Sequence, residues 1–280
     1  MELTAEAVDR VVAAALAEDV GAGDVTTESV VPADVRCRAA LVIEEPGVVS
    51  GVPLALEVFV KVDPAVTGEA LVEEGGLVTG PTAVARLEGP ARAILTGERT
   101  ALNLLARLSG IATLTRRYVD AIEGTGATIL DTRKTTPGLR ELEKYAVRCG
   151  GGSNHRAGLY DMVLLKENHL RLAGGIRKAV AALPERNGTP VEVEAETLDD
   201  VRDALDAGVD RILLDNMSVG ELTRAVELAG GRVPLEASGG ITLDTIRAVA
   251  ETGVDFISVG ALTHGARSLA VSLDVEVPQP

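Results

Sequence analysis

Six side chains carry the chemistry that this acidic chain can least easily spare: Arg99, Arg133, Lys134, His155, Arg156 and Lys166. Arg133 and Lys134 are consecutive, and so are His155 and Arg156 within Gly150-Gly151-Gly152-Ser153-Asn154-His155-Arg156. Lys166 closes the apolar run Met162–Leu165. A guanidinium offers a planar fork to carboxylate or phosphate, and an ammonium offers a point charge. The chain has 27 Lys and Arg against 42 Asp and Glu, a net charge of −15. Cations gathered on loops against that background point to a small ligand with several negative charges. The same global charge repels nucleic acid and anionic membrane, so neither is expected as a partner. Arg140, Lys144 and Arg148 are different, because they share helical spacing with Glu141 and Glu143 and local ion pairs account for them.

Two more groups complete the picture. Glu194 and Asp215 end successive apolar runs, and paired carboxylates near phosphate suit Mg²⁺ or ribose hydroxyls, or general acid–base work if one keeps a proton. Glu192 shares its strand face with Glu194 by the two-residue period. Ser238-Gly239-Gly240 and Gly260-Ala261 follow the last two runs, where backbone N–H groups can cradle a phosphate. The sequence offers no zinc spacing among its 3 His and no evident Ser-His-Asp set. Cys37 and Cys149 are far apart and read as reduced thiols. The acidic start, Met1-Glu2-Leu3-Thr4-Ala5-Glu6, is unlike a signal peptide, and the cytoplasm is the expected compartment.

These residues need a scaffold that brings loops together. From Ala127 onward, short apolar runs alternate with amphipathic helices, the last four runs recurring about every 21 residues, the pace of a βα unit. Strands are expected at 127–131, 162–166, 191–194, 211–215, 234–237 and 256–259, and helices at 138–147, 174–183, 198–207, 219–229 and 242–251, the last opening directly after the Ser238-Gly239-Gly240 loop. Apart from Arg99, and from His155 and Arg156 on the loop between the helix at 138–147 and the strand at 162–166, the candidate site residues then fall at or just after the C-terminal end of a strand, the functional end of a parallel α/β barrel. Thr132 belongs to the first such end, Asp131–Thr136. Six strands predict an incomplete barrel rather than a full eightfold one. The first hundred residues have another rhythm: a helix capped by Thr4, a turn at Gly21–Thr27, strands at 38–43, 47–52, 68–73 and 83–89, and helices at 54–60 and 97–108. The fold class is therefore α/β, with an N-terminal α/β sandwich over 1–110 and a barrel over 111–267. The alternating tail after Ser268, within 268–280, is expected to return to the first domain as a strand.

Glu98-Arg99-Thr100-Ala101-Leu102-Asn103, Leu108-Ser109-Gly110-Ile111-Ala112-Thr113, Asp131-Thr132-Arg133-Lys134-Thr135-Thr136-Pro137-Gly138-Leu139-Arg140, Gly150–Arg156, Lys166-Glu167-Asn168-His169, Leu213-Leu214-Asp215-Asn216, Glu236–Ile241 and Val259–His264 together resemble the quinolinate phosphoribosyltransferase family nearly end to end. The resemblance implies transfer of phosphoribosyl from phosphoribosyl pyrophosphate (PRPP) to quinolinate, with decarboxylation to nicotinate mononucleotide. It implies a homodimer in which Arg99 serves the neighbouring site. It implies that Arg133, Lys134, His155, Arg156 and Lys166 hold the quinolinate carboxylates and the pyrophosphate. Glu194 and Asp215 would hold ribose hydroxyls and Mg²⁺, and Ser238, Gly239 and Gly260 the 5′-phosphate. Two other readings remain open: a related phosphoribosyltransferase acting on another acid such as nicotinate, and a non-catalytic phosphosugar-binding sensor.

Overall fold

The computed structural model describes residues 3–184 and 188–276. Along the chain run α1 (Ala5–Asp19), α2 (Val25–Val30), β1 (Arg36–Ile43), β2 (Gly47–Val48), α3 (Val52–Val62), β3 (Thr67–Ala70), β4 (Leu77–Val78), β5 (Thr82–Pro90) and α4 (Ala91–Ala121). Then follow β6 (Thr128–Leu130), α5 (Arg140–Cys149), β7 (Val163–Leu165), α6 (Glu167–Ala173), α7 (Ile176–Ala181), β8 (Val191–Ala195), α8 (Leu198–Ala207) and β9 (Arg211–Asp215). The chain ends with α9 (Val219–Ala229), β10 (Leu235–Ser238), α10 (Ile246–Ala250), β11 (Phe256–Ser258), α11 (Ala261–His264) and β12 (Val271–Glu276). Two compact units form: residues 1–116, 135–151 and 262–280, and residues 117–134 and 152–261.

The first unit holds an antiparallel sheet in the order β12-β1-β5-β3. β1 turns Cys37 and Ala39 inward and Arg36 and Arg38 outward, the alternation of a half-buried strand. The tail does return: β12 lies antiparallel to β1, with Ile43 opposite Val271 and Arg38 opposite Glu276, while residues 277–280 lie outside the described residues. Thr4 caps α1 by accepting from Ala7 N at 3.2 Å, as its position before the apolar period predicts. In the Gly21–Thr27 segment Asp24 acts as the turn and cap that its residue type suggests, accepting from Thr27 N and starting the short helix α2. With 2% aromatics the core is Leu, Ile, Val and Ala, and Phe59 is its largest fully buried side chain. Gly110 lets α4 pass against main chain, since a Cβ there would collide with the Arg267 carbonyl oxygen.

The second unit is a six-stranded parallel sheet in the order β6-β11-β10-β9-β8-β7. Beyond β6 the chain adds one parallel bridge, Leu130 to Ser153, and no pairing of β6 with β7 closes the sheet among the described residues. The βα rhythm has local causes. Thr197 with Asp200 and Ser218 with Glu221 form capping boxes at the starts of α8 and α9, and left-handed Gly208 and Gly230 end them. Asp210 and Asp255 repeat one device: each sits just before a strand and accepts from the first residue of the strand beside it, Val191 N and Leu235 N, at 2.8 Å. One expectation fails. The helix after Ser238-Gly239-Gly240 starts only at Ile246, because Thr242 and Thr245 first form a hydrogen-bonded turn. Those glycines therefore form a loop and not a helix N-terminus.

Candidate active site

The C-terminal ends of the second unit's strands enclose a cavity of about 600 Å³. Its lining includes Thr132, Arg133 and Lys134 after β6, His155 and Arg156, Lys166 after β7, Glu194 of β8, Asp215 and Asn216 at β9, Ser238 at the end of β10, and Gly239 and Gly240 after it. Ten of the residues singled out by sequence thus meet at one place. Arg99 and Gly260 do not line it. Arg99 is exposed on α4 and makes no ion pair among the described residues, and Gly260 follows β11. Another hollow of about 550 Å³, on the β1-β5-β3 face, is lined by Arg38, Glu69, Arg86 and Glu88. Its charges pair with one another in solvent, Arg38 with Glu88 at 3.2 Å and Arg86 with Glu69 at 4.0 Å, so it holds little unspent charge.

The cavity's cationic side is held open at a cost. Neither Arg133 nor Arg156 makes an ion pair among the described residues, and the Arg133 Nε is buried with no hydrogen-bond partner there. Arg156 spends one donor on the Met162 carbonyl at 3.2 Å. Burial, then the charge of Arg133, pulls the Arg156 pKa below its ordinary value. Two guanidiniums that repel each other in a partly dry pocket suit an anionic ligand. Main-chain tethers fix their loops: Lys134 N donates to Thr132 Oγ1 at 3.0 Å, and buried Asp131 accepts from His155 N at 2.9 Å and Asn154 Nδ2 at 2.6 Å.

The acidic side is equally organised. Glu194 accepts from Lys166 Nζ at 2.8 Å and from Glu167 N at 3.0 Å. Ligand atoms of Glu194, Glu196 and Asp215 all lie within 4.8 Å of one another. Burial and the Glu194 charge push the Asp215 pKa up. A hard divalent cation bound by oxygen would relieve that crowding, so the set fits Mg²⁺. Glu196 joins the group because β8 ends at Ala195 and the chain turns there. Beside it, Asn216 takes a left-handed φ of 54° and donates to Asp215 at 2.6 Å. Gly239, at φ 100°, is required there, since a Cβ would collide with Asn216 Oδ1.

His155 occupies a position that its residue type did not reveal. Its Nε2 lies 3.0 Å from Glu192 and 3.4 Å from Glu236, both fully buried, and its Nδ1 accepts from Arg156 N at 2.7 Å. Both ring nitrogens are thereby engaged by protein, which is at odds with a hydrogen bond from His155 straight to a ligand carboxylate. Burial draws the imidazole pKa down, and the two glutamates more than reverse this, to about 9. Burial raises Glu192. It works against ionised Glu236 too, but His155, Ser258 and Arg211 outweigh it and hold that carboxyl below its ordinary pKa. His155, Glu192 and Glu236 titrate together, so the value of about 9 belongs to the group as a whole. Glu236 carries no sequence signal of this role, and Glu192 carried only its period-two relation to Glu194.

Models of the quinolinate phosphoribosyl transferase C-terminal and N-terminal domains match residues 111–274 and 24–109. The chain belongs to the quinolinate phosphoribosyltransferase family. It is 47% identical to a probable carboxylating nicotinate-nucleotide pyrophosphorylase of Synechocystis sp., over 93% of this chain and 90% of that one. It is 44% identical to the chloroplastic carboxylating nicotinate-nucleotide pyrophosphorylase of Oryza sativa, over 94% of this chain and 76% of that one. The crystal structure of NadC from Streptococcus pyogenes superposes with a TM-score of 0.95 at 39% identity, covering 100% of both chains. A Pyrococcus furiosus nicotinate-nucleotide pyrophosphorylase, at 19% identity and a TM-score of 0.69, shares the fold. No helix among the described residues is long and apolar enough to cross a membrane.

Proposed function

We propose that this chain transfers the phosphoribosyl group of PRPP to the ring nitrogen of quinolinate, releasing pyrophosphate and carbon dioxide and leaving nicotinate mononucleotide. The observation that carries this reading is the mutually repelling couple Arg133 and Arg156, without an ion pair among the described residues, beside Lys134 and Lys166, a site that suits a diacid better than a monoacid. Arg133 and Arg156 take the two carboxylates and align the ring nitrogen on C1′ of the ribose. Asp215 and Glu194 hold the ribose hydroxyls and, with Glu196, Mg²⁺, which when bound neutralises charge on the leaving pyrophosphate. Lys134 and Lys166 meet the same growing charge. Ser238 and Gly239, which line the cavity, offer main-chain donors to the 5′-phosphate. Once the ring nitrogen is quaternary, it stabilises the carbanion left as the adjacent carboxylate departs, and a proton takes the vacated position. The protein needs no nucleophile for this, only to strip water from that carboxylate.

The active unit is a homodimer, and Arg99 completes the partner's site. Its exposure on α4, with no ion pair among the described residues, supports that role. The two free cysteines support a cytoplasmic setting. Parallel assays with quinolinate and nicotinate, each with PRPP and Mg²⁺, test the reading. Quinolinate should turn over about a hundredfold faster, since a half-buried cation left without its carboxylate disfavours the monoacid. Equal or faster turnover of nicotinate would contradict it, and absence of any pyrophosphate release would favour the sensor.

A further inference from the structure

Three carboxyls, Asp131, Glu192 and Glu236, are buried without exposure beneath the cationic side of the cavity. Such burial is a poor source of stability, because each charge loses its water and attraction seldom repays the loss. The Glu192 case is the clearest: neither of its oxygens has a well-aligned hydrogen bond among the described residues. What the arrangement does provide is connection. The carboxylates of Glu192 and Glu236 lie 3.0 and 3.4 Å from His155 Nε2, Arg156 N donates to His155 Nδ1, and His155 N donates to Asp131. Arg211, 3.3 Å from Glu236 and stacked 4.3 Å over the Phe256 ring, anchors the far end.

Building on the functional reading above, we propose that Glu192 and Glu236 are positioning residues for the diacid. Through the His155 ring they fix the main chain of Arg156, and so the placing of its guanidinium beside Arg133. His155 acts as a strut between buried acids and the substrate arginine. The same three groups resemble a metal-ligand set, His155, Glu192 and Glu236. The strut reading prevails, because Arg156 N–H on Nδ1 puts the ring proton on Nε2, and a protonated nitrogen does not ligate.

The test uses the full-length enzyme with Glu192→Gln and Glu236→Gln, each near isosteric, and Glu236→Asp as a second variant should either fail to fold. KM is measured for quinolinate at saturating PRPP and for PRPP at saturating quinolinate. The expected result is a rise of about tenfold or more in the quinolinate KM, with the PRPP KM within about twofold, because misplacing one arginine by a fraction of an ångström touches only the diacid. In parallel, ¹⁵N-histidine spectra should show His155 with a protonated Nε2 and an accepting Nδ1 in the parent, and loss of that pattern in the variants. Unchanged quinolinate KM in folded variants, or equal loss for both substrates, would overturn the proposal, as would spectra showing Nδ1 protonated in the parent. If the parent protein fails to turn over quinolinate, the functional reading falls instead, and the histidine spectra still decide the strut.

Discussion

The buried His155 group makes stability depend on pH in a defined window. Its pKa is raised from 6.5 to about 9 in the folded chain, so the fold holds this proton more tightly than the unfolded chain does. The stabilisation is fully present below pH 6.5 and is lost as the pH climbs to 9, beyond which nothing more is lost. Two and a half pKa units at 1.36 kcal/mol each give about 3 kcal/mol. For a chain of this size that is a fall in Tm on the order of 5–10 °C. Other groups also titrate, so the comparison is with the double variant His155→Gln, Glu192→Gln, which lacks two members of the group that titrates together. Calorimetric scans of the two proteins from pH 6 to 10 should show the parent's Tm converging on, or dropping below, that of the variant by this amount between pH 6.5 and 9. A Tm difference that stays flat through the window would refute the reasoning, and so would a change of opposite sign.

Other outcomes follow from the same geometry. Arg133→Ala or Lys166→Ala should lower kcat/KM about a hundredfold or more, as removal of a preorganised charge does, with circular dichroism unchanged; near-normal activity in both would contradict their roles. Gly239→Ala forces a left-handed residue against Asn216 and should cost roughly 1–3 kcal/mol of stability with a raised PRPP KM, checked by urea titration and kinetics; a silent variant would show that the loop has other room. Arg99→Ala, inactive alone, should regain about a quarter of parental activity when reassembled with inactive Arg133→Ala subunits, as random mixing leaves one intact shared site in each mixed dimer. No recovery would argue against shared sites.

Much of this was legible in the sequence, for physical reasons. The βα units of α8 and α9 declared themselves because Thr197, Ser218, Gly208 and Gly230 punctuate those helices locally. The cations at strand ends needed only the rule that parallel strands present their C-terminal ends together. Short elements were illegible: β4 has two residues and α2 six, too few for a period to register. The delayed start of α10 depends on a Thr242–Thr245 turn that competes with helix in a way that composition does not reveal. The partners of His155 were hidden because they come from β8 and β10, far apart in sequence, and only the sheet's register brings them under one imidazole.

The most direct measurement is of products. With PRPP, Mg²⁺ and quinolinate labelled at the carboxyl next to the ring nitrogen, the chain should release carbon dioxide and pyrophosphate in equal amounts, and no carbon dioxide when PRPP is withheld. Pyrophosphate without carbon dioxide, or carbon dioxide independent of PRPP, would contradict the account.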